Sequence, residues 1–194
     1  MREMIRLFVV VTLFSAVAGG VLAFVQNKTE AQIEVQEIAF VKGPAIDQIL
    51  KGASNKPLND RFKIKDDDHE ITFFVGEFDG KRNTVAFEVF GKGFGGDIGV
   101  MVAINVDTDK IAGIAVTTNS ETPGMGSRAK TDPSFSAQFK GMPVKDSYRV
   151  KADGGDVDAL SGATITSRGV CGAVTDATKL YENLKDQIIK NLKA

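Results

Sequence analysis

The sequence predicts an α+β domain, with a mainly antiparallel β-sheet and helices packed on one side of it, preceded by one N-terminal transmembrane helix. Three observations support this prediction: an apolar run near the N-terminus, four β-rich segments with short connections, and a C-terminal segment with helical periodicity. A length of 194 residues suits one globular domain with appendages. We expect an anchor over residues 1–27, a connector of helix and loop over 28–70 and a globular domain over 71–194.

Residues 7–27 contain no charged side chain and are mostly apolar. A helix needs about 20 such residues to cross a bilayer, so this run predicts a single membrane span. Arg2 and Arg6 precede the run, whereas Lys28 and Glu30 follow it and offset each other. Because cytoplasmic flanks carry the excess of basic residues, we expect the chain after residue 28 to lie outside the cytoplasm, anchored in the cell (inner) membrane.

A cleaved signal peptide is the alternative for the same run, since Ala16-Val17-Ala18 resembles a cleavage site. The run is longer than the ~7–15 residues of a typical signal core, and it continues past that site. The sequence therefore favours an uncleaved anchor.

The connector is predicted to begin as a helix over residues 28–50, which breaks at Gly43-Pro44. The polar, turn-rich stretch 52–70 lacks periodicity and predicts a loop. It contains three consecutive aspartates at 66–68, where a solvated turn is favoured over a cation site because no EF-hand pattern surrounds them.

Four segments of the globular domain predict β-strands, because branched and aromatic residues dominate them. These segments are 71–75, 84–90, 98–106 and 111–118. Turn residues occupy the connections, for example at Asp79-Gly80 and at 107–110. Short connections in succession predict an antiparallel meander.

A long helix is predicted from Ser167 onward, and Pro133 to Lys140 predicts a short helix before it. Apolar residues recur in the long helix at spacings of three and four. They form one stripe: Val170, Val174, Ala177, Tyr181, Leu184 and Ile188. Such a stripe needs a partner surface, so we expect this helix to pack on the sheet.

Composition argues against several classes of function. The net charge is −1, from 24 basic and 25 acidic residues, so nothing indicates a nucleic-acid partner. Cys171 is the single cysteine and His69 the single histidine, which leaves neither a CxxC motif nor a Cys/His cluster for a metal. Any redox chemistry must therefore use an organic cofactor.

Residues 91–96, GKGFGG, contain a GxGxxG pattern. A dinucleotide fingerprint needs a helix after this pattern, whereas a predicted strand follows here. A glycine-rich hairpin connection is the better interpretation. No GxxxxGK[ST] or GxSxG motif occurs, so neither a P-loop nor a nucleophile elbow is indicated.

Residues 158–167 contain four hydroxyl side chains directly before the long helix. One interpretation is a capped helix start, with Thr166 or Ser167 as the N-cap. The other is a phosphate site, because a helix N-terminus presents unpaired N–H groups and the positive end of the helix dipole. The hydroxyl of Thr164 could itself carry a phosphate ester.

Two motifs in this chain resemble signatures of the FMN-binding domain family. The string DALSGAT over 158–164 resembles its flavinylation motif, in which a flavin transferase esterifies FMN to the last threonine. The string ETPGMG over 121–126 resembles a loop beside the flavin. The matching residues are Ser161, Gly162, Ala163 and Thr164, and Glu121, Thr122, Pro123, Gly124 and Met125. The resemblance implies covalent FMN on Thr164, with Ser161 and Thr166 near its phosphate and loop 121–126 beside its ring.

The two motifs and the single anchor together resemble the G subunit of the Rnf electron-transport complex, or the related C subunit of the Na⁺-translocating NADH:quinone reductase. The short chain favours the Rnf assignment. The resemblance implies an electron relay with no catalytic residue of its own, in a membrane complex that passes electrons from ferredoxin toward NAD⁺ and moves Na⁺ or H⁺. The implied partners are the other subunits, a flavin transferase and the membrane.

Two other functions remain open for the same residues. One is an anchored extracytoplasmic module that binds a small anionic ligand non-covalently at the start of the long helix. The other is a purely structural anchor, in which the hydroxyl cluster only caps the helix. Flavin that acid releases would favour the first, and an active Thr164→Ala complex would favour the second.

Overall fold

The computed structural model describes residues 1–66, 69–145 and 147–193, and it divides into two units, Met1–Ala39 and Phe40–Ala194. The first unit is built on one helix, α1 (Arg2–Glu37). Its part Arg2–Glu30 is long and apolar enough to cross a membrane. The predicted span is therefore helical throughout, as a bilayer requires of a single segment.

A π-helical stretch, Ile38–Lys42, follows α1 along the chain, and α2 (Gly43–Ile49) comes next. Pro44 lies in the first turn of α2, where the N–H that proline lacks has no intrahelical acceptor. The break predicted at Gly43-Pro44 coincides with the start of this new helix.

Five antiparallel strands form one sheet in the order β1-β2-β3-β4-β5, which confirms the predicted meander. The strands are β1 (Arg61–Asp66), β2 (His69–Phe78), β3 (Lys81–Lys92), β4 (Asp97–Asn105) and β5 (Lys110–Thr118). The four predicted strands correspond to β2 through β5.

Strand β1 corrects a prediction, because it lies within the stretch 52–70 that was expected to form a loop. It is an edge strand that pairs with β2, and Ile64 is the one buried residue among its six. Its other residues are mostly charged, which suits a sheet edge but removes the apolar signal that identifies a strand. Asp67 and Asp68 of the predicted acidic turn lie outside the described residues.

Helix α5 (Thr164–Leu192) packs on one face of the sheet, against β3 and β4. The predicted apolar stripe is confirmed, since all of its members are buried: Val170, Val174, Ala177, Tyr181, Leu184 and Ile188. They share a core with Phe73 and Phe87 of the sheet. Full burial of a large apolar side chain contributes about 1.5–3 kcal/mol, so this face supplies much of the stability of the unit.

Two short helices, α3 (Arg128–Thr131) and α4 (Pro133–Ala137), lie between β5 and α5 in the chain. Helix α4 confirms the predicted short helix after Pro133. The carboxylate of Asp132 caps it by accepting the N–H of Ser134 at 3.0 Å.

Helix α2 covers the other face of the sheet, so the expectation of helices on one side is wrong. Ile49 lies 3.5 Å from the position of a Cβ on Gly113, and the next residue, Leu50, lies 3.1 Å from that of a Cβ on Gly76. Gly113 aligns across the strands with Phe74, which faces away from the α5 core. A helix of seven residues is too short to give a periodic signal in the sequence.

Candidate functional site

A cavity of about 420 Å³ lies at the N-terminal end of α5. Its wall comes from the β3–β4 connection, the loop after β5 and the first turn of α5 with the residues before it. The lining residues are Phe94, Glu121, Thr122, Met125, Gly126, Gly162, Ala163, Thr164, Ile165 and Thr166. The fold thus brings the two sequence motifs to one site, although α3 and α4 separate them in the chain.

Thr164 is the first residue of α5 and is half-buried at the cavity wall. The turn before it uses Gly162, whose φ of +77° lies in the left-handed region that favours glycine. Among the described residues, no backbone carbonyl accepts the N–H of Thr164, Ile165 or Thr166. First-turn amides and the helix dipole together favour an anion at this point.

The predicted N-cap is wrong. The N-cap of α5 is Ala163, and the helix begins at Thr164 rather than at Ser167. The hydroxyl of Ser167 donates to the carbonyl of Ala163 at 2.9 Å and accepts the N–H of Leu160 at 3.0 Å. The side chain of Ser167, within the helix, therefore links α5 to the turn that precedes it. The sequence pattern of hydroxyl residues does not distinguish this arrangement from an N-cap.

Glu121 joins the three segments of the cavity wall and is only 7% exposed. Its Oε1 accepts the N–H of Gly95 at 2.8 Å, and its Oε2 accepts the hydroxyl of Thr166 at 2.5 Å. It is the only ionisable side chain among the described residues that line the cavity. Sequence patterns did not reveal this link, because the two partners lie 26 and 45 residues away in the chain.

Gly126 allows the loop after β5 to approach α5 closely. A Cβ at this position would lie 2.7 Å from the hydroxyl oxygen of Thr166 and would also meet the carboxylate of Glu121. Gly124 has a different reason to be glycine, since its φ is +77° and its N–H donates to the hydroxyl of Ser127 at 2.9 Å. Of these two glycines, only Gly126 is required by a close approach of the loop to its neighbours.

An apolar rim, formed by Phe94, Met125 and Ile165, borders the cavity. These side chains are 74%, 49% and 48% exposed, respectively. The Cε of Met125 lies 3.4 Å from the position of a Cβ on Gly162, so this side chain reaches the turn before α5. Phe94 was not identified from the sequence, and an aromatic residue within a glycine-rich connection is the only signal that could have found it.

The remaining residues of the two motifs lie at the outer side of the site. Ser161, Pro123 and Gly124 are exposed and are not among the described residues that line the cavity. Thr122 is also exposed but does contribute to the wall.

Asp158, the first residue of the DALSGAT string, is held through its backbone. Its N–H donates to Oε1 of Gln138 at 2.7 Å, and its carbonyl accepts from Nε2 of the same side chain at 3.2 Å. Its carboxylate forms an exposed ion pair with Lys151 at 2.8 Å. Gln138, which sequence patterns did not reveal, thus fixes the segment that leads into the turn before Thr164.

The cation closest in the chain to Thr164, Arg168, is engaged one turn further along α5. Its guanidinium forms a two-pronged pair with Asp153, with both N···O distances 2.7 Å. Hydrogen bonds from Arg168 hold the pKa of the Asp153 carboxyl below its usual range. Unpaired first-turn amides are thus the groups at the helix start that favour an anion, and no basic side chain is among the described residues that line the cavity.

The FMN-binding domain family matches residues 93–179, a range that includes every lining residue of the cavity. The crystal structure of the C subunit of Na⁺-translocating NADH-quinone reductase from Parabacteroides distasonis is similar, with 29% identity and a TM-score of 0.52, over 66% of this chain and 65% of that one. That of Shewanella oneidensis NqrC has 28% identity and a TM-score of 0.54, over 71% and 72%. Fold and site thus define a protein with an FMN-binding domain, and the predicted cofactor is confirmed.

Relatives that align along nearly the whole chain narrow this class. The G subunit of the ion-translocating oxidoreductase complex of Methanosarcina acetivorans is 33% identical over 91% of this chain and 93% of the relative. The corresponding G subunit of Pseudomonas aeruginosa is 30% identical over 97% and 93%. The chain belongs to this family of G subunits of ion-translocating oxidoreductase complexes. The prediction of an electron-transport subunit with FMN is confirmed at this level.

Proposed function

We propose that this chain is the electron relay of an Rnf-type ion-translocating oxidoreductase complex, with FMN held by a phosphoester bond to Thr164. The observation that carries the proposal is the position of Thr164, which is the half-buried first residue of α5 at the wall of the cavity. An ester on its side-chain oxygen places the phosphate at a helix N-terminus, where the amides and the dipole favour negative charge.

The residues of the cavity fit such a group. Its volume of about 420 Å³ falls within the range of small-molecule sites, which is about 300–1,000 Å³. Phe94, Met125 and Ile165 offer apolar contacts to a flavin ring. When bound, FMN supplies the capacity to accept and pass on one or two electrons. Thr164 acts as a tether and not as an acid or base.

Thr166 and Ser161, which were expected near the phosphate, take different roles in this proposal. The hydroxyl of Thr166 donates to Glu121, so its backbone N–H is the group that faces a phosphate. Ser161 is exposed on the turn before α5. It is placed to be read by the flavin transferase that matures the protein, because that enzyme must reach the turn from outside.

The orientation and partners follow from the anchor and the relatives. Arg2 and Arg6 precede the candidate span, so we place the flavin domain on the extracytoplasmic side of the cell membrane. The partners are the other subunits of the complex, which pass electrons from ferredoxin toward NAD⁺ and move Na⁺ or H⁺. A single span without internal charge does not form an ion path by itself, so ion movement belongs to those subunits.

The related C subunit of the Na⁺-translocating NADH:quinone reductase is the alternative assignment. Coverage favours the G subunit, since the chain spans 93% of each of two G relatives but 65% and 72% of the two C structures.

The test is to produce the full chain together with a flavin transferase and to measure its mass after denaturation. We expect the wild-type chain to retain flavin after denaturation, with the added mass on the peptide that contains Thr164. We expect Thr164→Ala to lose all covalent flavin. Thr108→Ala, which removes an exposed hydroxyl in the β4–β5 turn, is the matched control and should retain it.

The other outcomes separate the remaining hypotheses. Flavin that acid or heat releases from the wild-type protein would indicate a non-covalent module. Covalent flavin on Thr164→Ala would move the attachment to another residue. Wild-type electron transfer by a complex that contains Thr164→Ala would indicate a structural anchor.

A further inference from the structure

We propose that Glu121 is a positioning residue for the flavin and that its negative charge lowers the midpoint potential of the flavin. This inference rests on the proposed function, because it concerns the group that the cavity is proposed to hold. It arises from the two hydrogen bonds of one buried carboxylate, and from the absence of any other charge among the described residues of the cavity wall.

The positioning role follows from where the two donors lie. The N–H of Gly95 belongs to the connection that carries Phe94, and the hydroxyl of Thr166 belongs to the first turn of α5, which begins at Thr164. Glu121 itself lies in the loop that carries Met125. One carboxylate therefore fixes the relative positions of the tether and of two apolar residues of the rim.

The packing around the carboxylate is tight enough to hold it in place. A Cβ on Gly93 would meet Oε1 of Glu121, and a Cβ on Gly126 would meet Oε2. Both glycines therefore allow backbone to lie directly against the carboxylate. A side chain held in this way keeps the three wall segments in one fixed arrangement, as pre-organisation of a binding site requires.

The electrostatic role follows from the lack of a compensating cation. Within the described part of the chain, no lysine or arginine forms an ion pair with Glu121, and its two partners are neutral donors. Reduction gives a flavin additional electron density. A fixed carboxylate in a partly desolvated wall opposes this gain more strongly than an exposed carboxylate does.

The experiment is a redox titration of the full chain, purified in detergent after production with a flavin transferase. We expect Glu121→Gln to retain covalent flavin, because glutamine keeps the shape and one acceptor. The equilibrium constant for flavin reduction should rise at least tenfold, which is about 59 mV for a one-electron couple and about 30 mV for a two-electron couple. An unchanged or lower potential in flavin-loaded Glu121→Gln would overturn the proposal.

The matched control is Asp97→Asn, which removes a carboxylate from the same β3–β4 region. Asp97 is 58% exposed and pairs with Lys92, so solvent and a cation already screen its charge. We expect the equilibrium constant for flavin reduction in Asp97→Asn to stay within twofold of the wild-type value. An equal shift in both variants would indicate a general effect of net charge and would overturn a specific role of Glu121.

A second pair of variants changes Thr166, which donates a hydrogen bond to Glu121. This test can be made even where Glu121→Gln does not load flavin. Thr166→Val removes one hydrogen bond from the carboxylate, so its charge is less compensated and the potential should fall. Thr166→Ser keeps the hydroxyl and should restore the wild-type value. A potential that does not fall in Thr166→Val contradicts the proposal.

The mass of each variant distinguishes this inference from the proposed function. Covalent flavin on the wild-type chain with no effect of Glu121 or Thr166 on potential would overturn the role of Glu121 alone. Flavin that is absent from or not covalently bound to the wild-type chain would instead overturn the attachment to Thr164.

Discussion

The first turn of α5 and the middle of the same helix differ in almost every physical respect. In the middle, Val174, Tyr181 and Ile188 are fully buried against the sheet. In the first turn, Thr164 is half-buried, Ile165 is 48% exposed, and the amides have no backbone acceptor in the described part of the chain. One helix thus has an apolar stripe in the core and a first turn with unpaired amides beside the cavity.

The difference teaches where chemistry is compatible with stability. The middle of α5 forms the core, so a change there alters the free energy of unfolding before it alters the site. The first turn has unpaired donors that the protein does not need for folding, because water or a ligand satisfies them equally well. We therefore expect substitutions in the middle of α5 to lower stability without removing flavin. Substitution of Thr164 in the first turn should remove flavin without lowering stability.

The largest stability effect is expected for Ile188→Ala. Ile188 is 0% exposed within the core, and removal of a buried isoleucine side chain costs about 2–5 kcal/mol through lost burial and a residual cavity. The measurement is urea unfolding of the full chain in detergent. Lys190→Ala, at a less buried position of the same helix, is the control and should change the free energy of unfolding by less than about 0.5 kcal/mol.

The same variant tests the separation of the two regions. We expect folded Ile188→Ala to carry covalent flavin at the wild-type level, because Ile188 lies at the far end of α5 from Thr164. Loss of flavin from a folded Ile188→Ala protein would show that the two regions depend on each other.

Elements with a long, periodic sequence pattern were predicted, and the edge strand β1, which lacks such a pattern, was not. The stripe of α5 and the strands β2 to β5 repeat a clear pattern, and all of them were found. Strand β1 has one buried residue, and its sequence gives no pattern that indicates a strand. Helix α2 lies within the predicted helix 28–50, but its seven residues are too few to indicate which face of the sheet they cover. The position of each is set by its neighbours in the fold, since β1 pairs with β2 and α2 packs against β5 and β4.

The candidate site shows the same limit. Thr164, Gly162 and Met125 were named from motifs, and the structure places all three at one cavity. The link of Glu121 to Gly95 and Thr166 joins three segments that are distant in the chain, so no local pattern contains it. Gln138 was not found for the same reason, since its partner Asp158 lies 20 residues away in the chain. The only local signal for Phe94 is that it is an aromatic residue within a glycine-rich connection.

A smaller stability effect is expected for Tyr181→Phe. Tyr181 is buried, and its hydroxyl donates to Oδ1 of Asp109 at 2.7 Å. Loss of this hydrogen bond should cost about 1 kcal/mol, a typical value, because the carboxylate is 46% exposed and water partly replaces the donor. Denaturant unfolding of Tyr181→Phe beside the wild type measures it. An effect above about 3 kcal/mol would contradict the partial replacement by water.

The effect should depend on pH with a defined sign. Hydrogen bonding from Lys185, and then from Tyr181, holds the pKa of Asp109 below its usual value. A depressed carboxyl pKa contributes stability that is present above the unfolded value, about 3.9, and is lost as pH falls through the lower folded value. The difference in unfolding free energy between wild type and Tyr181→Phe should therefore be constant above that pH range. It should become smaller in more acidic solution.

The smallest effect on stability is expected for Thr164→Ala, the substitution that should remove all covalent flavin. In the described part of the chain the Thr164 hydroxyl forms no hydrogen bond that a folded apoprotein would lose, and the residue lies at the first position of α5, where the helix does not depend on its side chain. Wild type and Thr164→Ala, both produced without a flavin transferase, should differ by less than about 0.5 kcal/mol in unfolding free energy. A loss above about 1 kcal/mol would assign Thr164 to the support of the helix start, and the division between the stable middle of α5 and its functional end would not hold.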